Sequence, residues 1–124
     1  MALKIMDESG LAQQKNSIRA LEYAIKHGAK ISSNSYGVIG KGKCQDYLTE
    51  LEKVLSIAPE HLFVTAAGNE ANNNDDVLAC PCDANVENSI CVAASTREKK
   101  CGKIPILVLN LLMYLLLVKI CQTR

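Results

Sequence analysis

Apolar positions along the chain change period several times, and each change predicts an element. In the opening MALKIMDESG, Leu3 and Ile5 share one face of an extended segment, which predicts a short strand before a polar stretch over residues 7–14. Over residues 16–27, Ile18, Leu21 and Ile25 recur at helical spacing with Ala20 and Ala24 beside them. Asn16 or Ser17 can cap this helix, and Gly28 stands where a left-handed stop belongs. Residues 29–34, bounded by Gly28 and Gly37, predict a second strand, followed by a loop rich in Gly and Lys as far as Cys44. A second helix is predicted over residues 45–56, with Leu48, Leu51 and Leu55 on one face, Tyr47 and Val54 flanking, and Pro59 barring extension.

Residues 62–66 are apolar without alternation, the pattern of a strand covered on both faces. A loop of Gly, Asn and Asp over residues 68–76 and a Cys-rich stretch lead to SICVAA, residues 89–94, a further buried strand. Strands alternating with helices imply parallel pairing through right-handed crossovers, hence an α/β sandwich, and no internal repeat interrupts it. Ligands of such sheets sit beyond the carboxyl ends of the strands. The two loops predicted at that edge are Ser35-Tyr36-Gly37 and Ala67-Gly68-Asn69-Glu70.

The character changes near Lys103. Residues 104–118 form a hydrophobic tail interrupted by Pro105 and Asn110 and flanked by Lys103 and Lys119. A membrane-spanning helix needs about 20 apolar residues, so this tail is marginal for spanning, and its alternative is a segment lacking a packing partner. The organisation expected is therefore a domain over residues 1–98 and a divergent tail over residues 99–124.

Composition narrows the function classes. With 124 residues, 48% of them hydrophobic and 22% charged, the chain has the make-up of one globular domain or part of one. Fourteen Lys and Arg against thirteen Asp and Glu leave a net charge of +1, without the positive excess that nucleic acid binding exploits. Four Tyr, one Phe and no Trp also give little material for stacking bases. Six Cys suit an oxidising compartment, yet the first ten residues lack the basic start and apolar run of a secretory signal. That conflict predicts an incomplete copy of something longer and leaves localisation open.

Three blocks stand in order: GAKISSNSYG (28–37) after an Ile- and Ala-rich helix, HLFVTAAGNE (61–70), and NSICVAAST (88–96). Together they resemble the subtilisin-like serine proteases over roughly residues 2–97. The resemblance implies a three-layer sandwich about a parallel sheet, here incomplete, and peptide-bond hydrolysis of polypeptide substrates. It makes Asn69 the side-chain amide donor to the oxyanion and places Ser35, Tyr36, Gly37, Ala67 and Gly68 along the substrate cleft. A neutral donor that does not titrate suits a developing oxyanion. The bland alternative is turn chemistry, with Gly68 at positive φ and Asn69 bonding its own backbone.

The sequence departs from the family where the chemistry is densest. The family's catalytic Asp and His blocks lie N-terminal to the matched region and its Ser block lies C-terminal, and no Gly-Thr-Ser occurs here. His27 and His61 are expected to be solvated surface residues, not bases. The expectation is a fragment inactive alone, since the oxyanion hole and binding support only residual catalysis. A second class is a non-catalytic binding or regulatory remnant, membrane-associated through 104–118. In a secreted relative, Cys80, Cys82 and Cys91 would pair near the specificity pocket, while the cysteine spacings do not suit structural zinc. No cofactor or metal is assigned. The resemblance allows Ca²⁺, although the oxygens of residues 72–76 lack the EF-hand pattern and read better as a solvated loop.

Overall fold

The computed structural model describes residues 1–70, 74 and 76–93. The tail 104–118, Cys101, Cys121, the boundary expected between 98 and 99, and the last residue of the predicted strand 89–94 lie outside the described residues. Seven elements run in the order α1 (Gln14–Lys26), β1 (Ile31–Asn34), β2 (Val38–Ile39), α2 (Lys41–Ser56), β3 (Leu62–Ala66), β4 (Ala79–Cys80) and β5 (Ser89–Val92). β1, β3 and β5 form a parallel sheet with β3 central, and β2 and β4 form a separate antiparallel pair. This is the partial α/β fold that the alternation of apolar periods predicts. At the start, Leu3 and Ile5 make no strand, and Met6 and Ala12 form an isolated bridge instead. Asp7 closes that turn by accepting from the Ser9 hydroxyl and from the Ser9 and Leu11 amides at 2.6, 2.9 and 3.1 Å. The Ser9 hydroxyl bond, foremost, holds the exposed Asp7 carboxyl below its ordinary pKa.

Helix α1 begins at Gln14, two residues before the predicted cap, and its Gln13 N-cap makes no side-chain capping bond. Ser17 instead turns inward, its hydroxyl bridging the Gln14 carbonyl at 2.7 Å and the Tyr47 hydroxyl at 3.2 Å. The predicted stop is present. Gly28 has φ 80°, and the amides of Gly28 and Ala29 bond the carbonyls of Ile25 and Ala24 at 3.0 Å each, closing the helix in a Schellman turn. Helix α2 buries Cys44, Tyr47, Leu48, Leu51 and Leu55. This stripe at i, i+3, i+4 and i+7 meets Ile18 and Leu21 of α1 and Phe63 of β3 in one core. Each buried leucine there stabilises the fold by about 1.5–3 kcal/mol.

Register decides which sheet face the helices cover. Ser32, Phe63 and Ser89 pair across the sheet, as do Asn34, Thr65 and Cys91, and this is the face of the buried Phe63 and Thr65. The opposite face carries Ile31, Leu62, Val64, Ile90 and Val92, with Ile31 65% exposed and Ile90 38% exposed. The described residues therefore supply the sheet and one helical layer. Asn88 ties the layers together, its amide reaching the carbonyls of Leu55, Ala58 and His61 at 3.1, 3.0 and 2.9 Å.

Two expectations are corrected. The loop predicted from Gly37 to Cys44 contains β2 and the first turn of α2, which starts at Lys41 because Gly40 donates its amide to the Leu78 carbonyl at 3.0 Å. His61 is not solvated: it is 2% exposed, with Nδ1 2.8 Å from the Ala29 carbonyl and Nε2 2.9 Å from the Ser32 hydroxyl. Burial is tolerated because both ring nitrogens find partners. His27 is exposed as expected, stacked on Tyr23 at 3.9 Å between ring centroids.

Candidate functional site

β1 and β3 run parallel, so their carboxyl ends open on the same edge. The chain leaving β1 carries Ser35, Tyr36 and Gly37, and the chain leaving β3 carries Ala67, Gly68 and Asn69. All six line one cleft of about 190 Å³, with Val38, Ala66, Glu70, Ala79 and Cys80 completing it. Gly68 takes φ 96°, a left-handed conformation that bends the chain sharply after β3 and sets Asn69, exposed, on the rim. The Ala67 amide bonds the Val92 carbonyl at 3.0 Å, which anchors the turn to β5. Glu70 accepts the Asn69 backbone amide at 2.7 Å and is the sole charged residue lining the cleft. Its carboxylate would oppose an anion forming nearby unless it turned away.

The far wall was not legible in the sequence. Cys80 is joined to Cys44 of α2 by a disulfide, Cys82 is joined to Cys91 of β5, and the Cys80-Pro81 peptide bond is cis. Gly37 packs directly on this wall: a Cβ there would stand 2.7 Å from the Cys80 carbonyl oxygen and 3.5 Å from Pro81 Cδ. Because the oxygen belongs to a backbone tethered by the disulfide, it cannot step aside freely. Gly37→Ala is expected to cost about 1–3 kcal/mol of stability and to displace the wall of the cleft, checked by urea unfolding and by the amide shifts of Ala79 and Cys80. No local signal marked Ala79–Cys80 as a strand, since two residues have no readable period.

A second cavity, about 520 Å³, shares Tyr36, Gly37, Val38 and Cys80 with the cleft. Met6, Leu11, Ala12 and Pro81 make it mostly apolar, while Ser17, Tyr36 and Tyr47 bring hydroxyls to its lining. The Tyr36 and Tyr47 hydroxyls stand 3.5 Å apart. Burial, then the neighbouring Tyr47, pushes the Tyr36 phenol far above its ordinary pKa, so it stays protonated and able to donate. Among the described residues no group of three His, Cys, Asp or Glu could hold a metal ion, and residues 72, 73 and 75 of the loop considered for Ca²⁺ lie outside them. Among the same residues no helix is long and apolar enough to cross a membrane.

A parallel sheet with two loops meeting at its carboxyl edge, one ending in Ala-Ala-Gly-Asn, defines a class of α/β hydrolase-like scaffold. The sequence profile of the subtilase family, peptidase family S8, matches residues 1–105, and the chain belongs to that family. Among solved structures, a lanthipeptide protease superposes with a TM-score of 0.67 at 16% identity, covering 81% of this chain and 32% of that one. The prenylagaramide maturation protease PagA superposes with a TM-score of 0.60 at 29% identity, covering 78% of this chain and 33% of that one. The chain thus spans about a third of the length of each. No curated protein sequence matches it.

Proposed function

We propose that this chain forms the oxyanion-donor and substrate-wall portion of a subtilisin-like serine endopeptidase site, and that alone it binds a polypeptide without cleaving it. The observation that supports this is the convergence of residues 35–37 and 67–69, about thirty positions apart, on one cleft. Asn69 would direct its side-chain amide at the carbonyl oxygen of the bound peptide. Ser35, Tyr36, Gly37, Ala67 and Gly68 would hold the chain on either side. The magnitude for losing such a donor, about 10²- to 10³-fold in rate, comes from a subtilisin asparagine and is borrowed for the complete enzyme. The residues that would form and break covalent bonds are not in this sequence, so the family's Asp, His and Ser blocks would have to be supplied from outside it.

Titration of the full ¹⁵N-labelled chain with an acetylated, amidated apolar tetrapeptide tests this. Expected are amide shifts confined to residues 35–38 and 66–70, a weaker response in Asn69→Ala, and no release of cleaved peptide. Shifts elsewhere, or none at saturating peptide, would overturn the reading. Cleavage by the purified chain would overturn its non-catalytic half. A response that Asn69→Ala leaves unchanged would favour a binding or regulatory remnant with no oxyanion function.

A further inference from the structure

A continuous run of side-chain hydrogen bonds links the buried His61 to the cleft. The Ala29 carbonyl can only accept, so His61 Nδ1 carries the proton donated to it across 2.8 Å. In the neutral ring Nε2 is then an acceptor, and the Ser32 hydroxyl at 2.9 Å donates to it. With its proton committed to His61, Ser32 Oγ presents lone pairs, and Asn34 Nδ2 donates to it at 2.9 Å. The same Asn34 nitrogen donates to the Val64 carbonyl at 3.2 Å. Both amide protons are thereby used on one side, which fixes the amide and turns Oδ1 toward the Tyr36 hydroxyl, 3.4 Å away. Tyr36 lines both the cleft and the larger cavity.

We propose that His61 is a positioning residue for the site: its Nδ1-protonated tautomer sets the direction of the Ser32 and Asn34 bonds and so the place of the Tyr36 ring between the two cavities. Ser32, Asn34 and Tyr36 alternate along one strand and its extension, so their side chains share a face and the relay crosses no backbone. His61 enters from the neighbouring strand, one position before the Leu62 that pairs with Ile31. Neither His61 nor Ser32 lines either cavity, so both act through Tyr36. Ser32 is not a nucleophile here, since no cavity gives a substrate access to it.

The test uses the full chain with ¹⁵N-histidine and ¹³C-tyrosine labels, compared with Ser32→Ala and Ser32→Thr. Expected are a proton on His61 Nδ1 and an acceptor-type Nε2 in the parent, a shift of the Tyr36 ring resonances in Ser32→Ala, and their return in Ser32→Thr, which restores the hydroxyl. Affinity for the same tetrapeptide should fall roughly threefold to tenfold in Ser32→Ala, the range for one hydrogen bond. A proton on Nε2 in the parent would overturn the proposal, as would Tyr36 resonances unmoved by Ser32→Ala. The tautomer is read on the parent, so a poorly folded variant does not shelter the proposal. Only the affinity arm rests on the peptide-site reading. A parent that binds no peptide would sink that reading, while the tautomer and Tyr36 signals would still decide for or against His61.

Discussion

Replacing Cys44 and Cys80 together by alanine is expected to lower the unfolding free energy by about 4 kcal/mol. The bond closes a loop of 36 residues, and constraining a loop of that length in the unfolded chain is worth about 4 kcal/mol on the chain-entropy account. The Cys82–Cys91 bond closes only 9 residues, which gives about 2.5 kcal/mol. Against a usual stability of about 5–15 kcal/mol for a native domain, the first loss alone is a large share. Position adds to length. Cys44 and Cys80 are 0% and 3% exposed within the core, and β4 depends on this bond and on two residues of pairing with β2. The double variant should therefore lose cleft geometry along with stability. Urea unfolding of parent and variant at fixed pH, with the slopes compared, checks the first. The tetrapeptide titration checks the second. An unchanged midpoint would mean that core packing, not the crosslink, fixes this wall.

The disulfide also shows where local reading of the sequence stops. The Leu48, Leu51 and Leu55 stripe, the apolar run at residues 62–66 and the Gly28 stop each carry their information within a few positions, and each forms where the pattern predicts. The loops at Ser35–Gly37 and Ala67–Asn69 were legible for a related reason, since parallel pairing of β1 and β3 forces their exits together. The opposite wall was not. β2 and β4 are 40 positions apart and two residues long, so neither has a period, and only their pairing and the disulfide define them. The start of α2 at Lys41 escaped because Gly42 and the flanking lysines carry no apolar signal. His61 read as an entrance to a strand for the same reason. Its partners, Ala29 and Ser32, lie 32 and 29 positions away and give a local window nothing to detect.

Phe63→Ala is expected to cost about 3–5 kcal/mol, the range for deleting a fully buried ring. Phe63 is 0% exposed in the central strand, and its lateral neighbours in register are Ser32 and Ser89. Two serines are too small to close over the space the ring leaves, and Ser32 is already committed to His61 and Asn34. Leu51 and Leu55 face the ring from α2 and are themselves 0% exposed, so they cannot advance without opening space behind them. The cavity should persist, which places the cost in the upper part of the range. Ile31→Ala supplies the contrast: it sits on the uncovered sheet face at 65% exposure, and its loss should fall within about 0.5 kcal/mol. Urea midpoints of the two variants separate burial from side-chain size. A Phe63→Ala cost below 1 kcal/mol, or one matched by Ile31→Ala, would show that the helices do not pack on this face. The strand that carries Phe63 ends at Ala66 and runs directly into Gly68 and Asn69. A loosened β3 should therefore weaken peptide binding at the cleft even though Phe63 lies outside its lining.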